Sequence, residues 1–277
     1  MSQLTSSHLL SIFGFGEDDV FVGGAEGTIL HYDGKQWNKM DSGGRWTVKR
    51  MWGTAHDNLY GVCTDGKILH YDGNQWKPEE TENFPPMSGI WGMGADDIYV
   101  CTRLGKISHY NGSQWKFMST GTNNDIAALW GSPEAGLFAV GFDGLFLRYV
   151  KSDNRWERLT LNSNAELYSI YGSGPDKIYF CGSDGTIIHF NGAEFKTMPT
   201  QTMEFFLDIW GPSEEFLFAV GDMGMIMYLD GDQWTRIESN SEEYLTAIWG
   251  TSEENMYAVG DNGLILHFNG EDWREVE

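Results

Sequence analysis

The chain has 277 residues, a formal net charge of −22, and 12 Trp, 12 Tyr and 16 Phe. That much apolar and aromatic side chain excludes a disordered acidic tail, because there is ample surface to bury. The charge argues against a nucleic-acid partner, whose binding is driven by Lys/Arg contacts to phosphate. No apolar run approaches the roughly 18 residues of a membrane helix, so no membrane partner is expected. The stretch Met1–Phe15 lacks the basic and continuous apolar regions of a secretion signal, and Cys63, Cys101 and Cys181 are too few for a disulfide framework. A reducing cytoplasm is the expected location.

One phrase recurs seven times along the chain: an aromatic–Gly pair, a short acidic stretch, an apolar strand, Gly, a second apolar strand, a turn, then Trp. The first glycine of the phrase falls at Gly14, Gly53, Gly92, Gly131, Gly172, Gly211 and Gly250, at intervals of 39 residues with a single 41. Two further series keep the same step: Gly27, Gly66, Gly105, Gly144, Gly185, Gly224 and Gly263, and Trp37, Trp76, Trp115, Trp156, Phe195, Trp234 and Trp273. Each unit reads as four short strands. In the last they are Leu245–Trp249, Asn255–Val259, Leu264–Phe268 and Asp272–Val276, bounded by turn-forming strings. Asp-Gly or Asn-Gly after the third strand (Asp33-Gly34, Asp72-Gly73, Asn111-Gly112, Asn191-Gly192, Asp230-Gly231, Asn269-Gly270) specifies a tight hairpin. Repeat four replaces it with Lys151-Ser-Asp-Asn-Arg155, two residues longer, which accounts for the 41.

A repeated four-stranded unit of about 40 residues predicts an all-β, seven-bladed β-propeller. The blades run approximately over 8–46, 47–85, 86–124, 125–165, 166–204, 205–243 and 244–277, one domain over 1–277. The 13 residues before Gly14 and the 27 after Gly250 together make one further period. The chain thus starts at an inner strand and stops at an outer one, and a strand-exchange latch is expected only if Met1–Ser7 supplies an edge strand.

Units such as Ile248-Trp-Gly-Thr-Ser-Glu-Glu-Asn-Met-Tyr-Ala-Val-Gly-Asp-Asn-Gly-Leu-Ile-Leu-His-Phe-Asn-Gly-Glu-Asp-Trp273 resemble a bacterial propeller repeat with a "WG…DxYAVG..GTILHYDG..W" phrase. This class is similar to the Asp-box propellers, among them photosystem II assembly factors and sialidase-like discs. The resemblance spans essentially the whole chain. Asp33-Gly-Lys-Gln-Trp37 lacks the Ser of a full Asp-box and is one residue tighter. The resemblance therefore implies the architecture and assigns no catalytic residue.

Five histidines, His31, His70, His109, His189 and His267, share one repeat position. Zinc bonds of about 2 Å require ligands to converge, whereas equivalent positions on different blades spread around a ring. A structural bond to the acidic loop of the same blade (Asp18/Asp19, Asp96/Asp97) is expected, with no metal and no cofactor. The cysteines read as buried small hydrophobes. The Trp series reads as blade packing, although sugars also stack on Trp, which keeps a lectin with blade-related sites as an alternative.

Departures from the repeat carry more information. Two positions before the inner aromatic come Ser11, Arg50, Gly89, Ala128, Ser169, Asp208 and Ala247; five are small, as crowding near the axis demands, and Arg50 and Asp208 are the exceptions. One position earlier come Leu10, Lys49, Ser88, Ala127, Tyr168, Leu207 and Thr246. In most propellers the loops joining strands two to three and four to the next one share a face, which here carries Arg45, Lys49, Arg50, Lys67, Arg103 and Lys106 from blades two and three. The same face elsewhere offers Glu26, Asp143, Asp184, Asp222, Glu243 and Asp261. The candidate binding residues are those six bases with Tyr168 and Asp208, for an acidic partner protein or a small anionic ligand. The competing reading has Arg50 paired with local acids, Asp65 or Glu79-Glu80, and merely solubilising the rim. The loops 78–87 and 118–126 vary most, and irregular loops on a rigid frame are where binding resides. A non-enzymatic recognition disc is the reading preferred; a sialidase-like glycosidase or lyase, with Arg45, Arg50 and Arg103 as its arginine cluster, lacks a set of catalytic Asp, Tyr and Glu that differs from the repeat.

Overall fold

The computed structural model describes residues 4–81, 84–213 and 215–276. Glu82 and Asn83 of the variable 78–87 loop, and Met1–Gln3 of the expected N-terminal edge strand, lie outside the described residues. The repeats fold as seven antiparallel sheets, each of four strands in sequential order and each drawn from one repeat. The burial of each strand follows its place in the blade. In the last blade, Leu245, Ala247 and Ile248 of the innermost strand (Leu245–Ser252) are buried, the adjacent Ala247 and Ile248 on opposite faces of the strand. Met256–Val259 of the second strand (Asn255–Gly260) are buried throughout, because neighbouring blades cover both faces, and the strand reads accordingly as one continuous apolar run. Only Trp273 of the outermost strand (Trp273–Glu275) is buried.

Apolar clusters form between blades. One combines Tyr179 and Cys181 with Phe206, Ile209 and Leu217, and another combines Tyr99 and Cys101 with Ile126, Leu129 and Leu137. The seven innermost strands pack side by side in a closed ring, with Leu9–Gly16 lying against both Val48–Ala55 and Leu245–Ser252. An exchanged strand plays no part in closing the ring among the described residues. Residues 4–8 are not strand; instead Thr5 places its carbonyl against Gly263 as Ser241 does against Gly224 one blade earlier. Leu9, Ile12 and Val20 share a cluster with Ala247, Tyr257 and Val259, and Thr246 Oγ1 donates to the Leu9 carbonyl at 2.6 Å.

The hairpin glycines take positive φ as expected, from 59° at Gly231 to 91° at Gly270, and Asn154 takes φ 49° in the longer turn of blade four. Each of the five repeat histidines is tied into its own blade. Each stacks on the aromatic ring of the adjacent strand, as His109 does on Tyr99 at 4.3 Å, and each bonds near the start of its own blade's second strand. Asp19 and Asp97 are partners in blades one and three, while Asn58, Asn255 and the Asp176 carbonyl serve in the others. The cysteines are buried, and burial pushes the thiols of Cys63 and Cys101 up to about 12.

The aromatic–Gly phrase has a packing cause. A Cβ on Gly172 would lie 2.5 Å from the Trp130 ring, which reaches over it from the preceding blade. Gly94 has open space around it. Gly172→Ala is therefore expected to cost about 1–3 kcal/mol through overpacking, and Gly94→Ala less than about 0.5 kcal/mol, as read from urea unfolding of the two variants.

Candidate functional site

Inner-strand positions face the channel, and the Arg50 and Asp208 side chains meet across it. Arg50 Nη1 donates to Asp208 Oδ2 and Nη2 to Oδ1, both at 3.1 Å, a bidentate pair from blades two and six. Asp208 also accepts the Ser169 hydroxyl at 2.5 Å and the Ile248 amide at 3.0 Å. Both side chains are largely shielded from solvent, at 19% and 10% exposure. Arg50 thus pairs with Asp208 rather than with Asp65, Glu79 or Glu80, because the inner strand turns its side chain to the axis and away from the outer loops. Glu79 instead lies 3.5 Å from His70.

This pair plugs the channel. Below it lies a chamber of about 200 Å³ walled by Phe13, Trp91, Trp130, Tyr171, Trp210 and Trp249. Above it opens a mouth of about 350 Å³ lined by Lys49, Arg50, Arg103, Asp125, Phe142 and Tyr168, with Ser88, Ile126, Ala127, Leu207 and Thr246. Lys49 has no carboxylate within ion-pair distance among the described residues. Burial, reinforced by the adjacent Arg50 charge, pushes its ammonium down to about 8; Asp208 opposes the shift and Arg103 adds to it. Arg103 is 71% exposed and lies 4.0 Å from Asp125 Oδ2. Tyr168 donates to Glu166 Oε2 at 2.7 Å and packs between Phe142 and Phe205.

Four of the eight predicted site residues, Lys49, Arg50, Arg103 and Tyr168, therefore converge on the mouth, and Asp208 lies beneath it as the plug. Arg45, Lys67 and Lys106 do not line it. Arg45 and Lys67 are exposed, and Lys106 sits over the Phe117 ring at 5.5 Å. The loops expected to share this face do so: the Arg103 amide donates to the Pro86 carbonyl and the Phe142 amide to the Asp125 carbonyl.

The sequence reading passed over the apolar side chains of this face. Leu104, Met203, Phe205, Met223 and Tyr244 are exposed by 39–71%. Leu104 and Met223 also hold positive φ, 64° and 51°, at a corner where the other repeats place Glu26, Asp65, Asp143, Asp184 and Asn262. Large apolar side chains are uncommon in that conformation and mark a site worth a functional question. Phe142 shares the repeat column of Arg103, and Phe205 and Tyr244 fall two positions before the column of Lys49. Most of the Trp series, by contrast, is packing: Trp76, Trp156, Trp234 and Trp273 are at most 6% exposed, and Trp37 and Trp115 are half-buried.

The fold and site define a seven-bladed propeller with an ion-paired channel and a basic mouth set among exposed apolar side chains. Among solved structures the chain is similar to YCF48 bound to a D1 peptide, with 17% identity, 97% of this chain and 93% of that chain covered, and a TM-score of 0.77. It is likewise similar to YCF48 from Cyanidioschyzon merolae (16% identity, 98% of each chain, TM-score 0.79) and to the RRP9 WD40 repeats (11% identity, 94% and 89%, TM-score 0.77). At these identities the likeness is one of fold. No protein-family model and no curated protein sequence matches the chain. None of its described helices is long and apolar enough to cross a membrane.

Asp208→Ala is expected to cost about 3–5 kcal/mol, because it leaves the Arg50 guanidinium shielded and unpaired. Combining Arg50→Met with Asp208→Asn should recover most of that loss in urea unfolding. Lys49 gives a pH signature of determinate sign. Its folded value of about 8 lies below the ordinary 10.5, so between these pH values the unfolded chain holds a proton that the folded chain has lost. Stability conferred through this group rises with pH across that window. The advantage of Lys49→Met over the wild type should be largest below pH 8 and shrink steadily toward pH 10, as measured by urea unfolding of both proteins.

Proposed function

We propose that this protein is a non-enzymatic recognition disc that docks a segment of a partner protein on its basic-mouthed face. The observation that carries the reading is the unpaired Lys49 ammonium beside Arg103, in a recess whose floor charge is already neutralised by Asp208. A carboxylate entering the mouth supplies the partner that Lys49 lacks, and Arg103 offers a planar donor fork to the same group. The rim adds Leu104, Phe142, Phe205 and Tyr244, which suit the apolar and aromatic anchors of a peptide better than a small anion alone. The acidic remainder of the surface repels acidic partners elsewhere and favours arrival at the mouth.

Peptide-bound YCF48 supports this reading as an example of the fold used for peptide capture. Four of the seven rings in the aromatic series, Trp76, Trp156, Trp234 and Trp273, are buried, which counts against a seven-fold lectin arrangement.

Fluorescein-labelled acidic peptides with free or amidated C-termini test the proposal by anisotropy, and comparing the two forms tells a chain terminus from an Asp or Glu side chain. Lys49→Glu with Arg103→Glu, which leaves the plug intact, should weaken binding at least about ten-fold. Equal binding by this variant would overturn the site, and free citrate binding as tightly as the peptides would overturn the partner class.

A further inference from the structure

The opposite face holds a second convergence, unrelated to the basic mouth. Asp19 opens the second strand of blade one (Asp19–Gly24), His31 lies on the third (Ile29–Tyr32), and His56 comes from the turn after the innermost strand of blade two. His31 Nε2 lies 2.7 Å from Asp19 Oδ1, and His56 Nδ1 lies 2.9 Å from Oδ1 and 3.0 Å from Oδ2. The three ligand atoms all fall within 4.8 Å of one another. The rings are held from behind: His31 stacks on the fully buried Phe21 at 4.3 Å, and His56 meets the edge of Tyr71 at 5.6 Å.

The His–acid pair alone is part of the repeat, since His109 and Asp97 make the same contact at 2.7 Å in blade three. What differs in blade one is the third group. The turn position of His56 holds Glu17, Ala95, Glu134, Pro175 or Glu253 in other repeats. His56 therefore adds a second imidazole to a site that elsewhere has at most one, and draws it from the neighbouring blade.

We infer that Asp19, His31 and His56 bind a divalent transition-metal ion across the seam between blades one and two. Two imidazoles and one carboxylate are the donor set that Zn²⁺, Co²⁺, Ni²⁺ and Fe²⁺ accept, and that Mg²⁺ and Ca²⁺ do not favour. Ligand spacing refines the coordination. With bonds of about 2.1 Å, adjacent ligand atoms are about 3.0 Å apart on an octahedron and about 3.4 Å apart on a tetrahedron. The two His–Asp separations, 2.7 and 2.9 Å, are short enough for both imidazoles to reach the same ion as Asp19. Three protein ligands leave two or three outward positions to water or to a ligand from a partner. His56, 44% exposed, is on the solvent side, so the ion has an entry path. Strong negative net charge favours the cation's approach. On binding, the ion replaces the protons that the two imidazoles share with Asp19 and ties blade two to blade one.

Titration of the full chain with Co²⁺ and Zn²⁺, followed by calorimetry and by the visible absorption of bound Co²⁺, tests the inference. One equivalent of either metal should bind, with weak Co²⁺ absorption typical of five or six ligands, and should raise the melting temperature. His56→Ala, a change in an exposed turn, should weaken binding at least about ten-fold, as loss of a direct ligand exceeds the effect of an outer one. His109→Ala, which disrupts the equivalent pair lacking a third ligand, should leave it unchanged. Asp19→Asn should behave as His56→Ala if it folds; the His56 variant carries the test if it does not. Absence of saturable uptake, unaltered affinity in His56→Ala, or equal loss in His109→Ala would each overturn the site.

Discussion

Close approach of aromatic rings to glycine between blades is the constraint on which this structure depends. At three of the seven seams the inner Trp of one blade lies over the glycine of the next: Trp52 over Gly92, Trp130 over Gly172 and Trp249 over Gly14. The last of these pairs joins the first and last blades, so the seam at the closure is built like two of the internal ones. A blade alone exposes both apolar faces; stacked in a ring, each face is covered by a neighbour, and no strand need cross from one terminus to the other to close it. Thr5 completes the seventh seam because it reaches Gly263 in the manner of the inter-blade loops, whose missing member it replaces.

A ring of this kind narrows toward its axis, and the small residues there follow from crowding. Arg50 and Asp208 break that rule together, and each is intelligible only through the other. A lone guanidinium or carboxylate so shielded carries a heavy desolvation cost; a bidentate pair with Ser169 and the Ile248 amide satisfying the carboxylate offsets it. The pair has an electrostatic consequence one residue outward. Since Asp208 is committed to Arg50, Lys49 has no carboxylate of its own within ion-pair distance among the described residues, and burial with two neighbouring arginines lowers its affinity for a proton. A site of unspent positive charge is thereby produced by the way the channel is plugged.

The period, the four strands, the hairpin glycines and the repeat histidines were all legible in the sequence, because each depends on contacts repeated in every blade and so recurs at a fixed interval. The alignment also isolated Lys49, Arg50 and Asp208, since crowding makes any large polar residue at those columns conspicuous. It did not tell Arg45, Lys67 and Lys106 from Arg103, because a loop column records which face a residue occupies and not how far from the axis its side chain ends. Phe142, Phe205 and Tyr244 are not conspicuous in the sequence because aromatic residues are abundant throughout this chain; exposure sets Phe205 and Tyr244 apart, and position in the mouth sets Phe142 apart.

The sequence by itself determined the ring: periodicity is a local property, and 39-residue intervals in three registers admit one architecture. Tertiary structure alone decided which departures from the repeat meet. Arg50 and Asp208 are 158 residues apart and share a bond because their columns both face the axis from blades two and six. Asp19, His31 and His56 come together because a turn of one blade overlies the strands of another. Repetition reveals equivalent positions, whereas these contacts join positions that are not equivalent, and their distances exist only once the ring has closed.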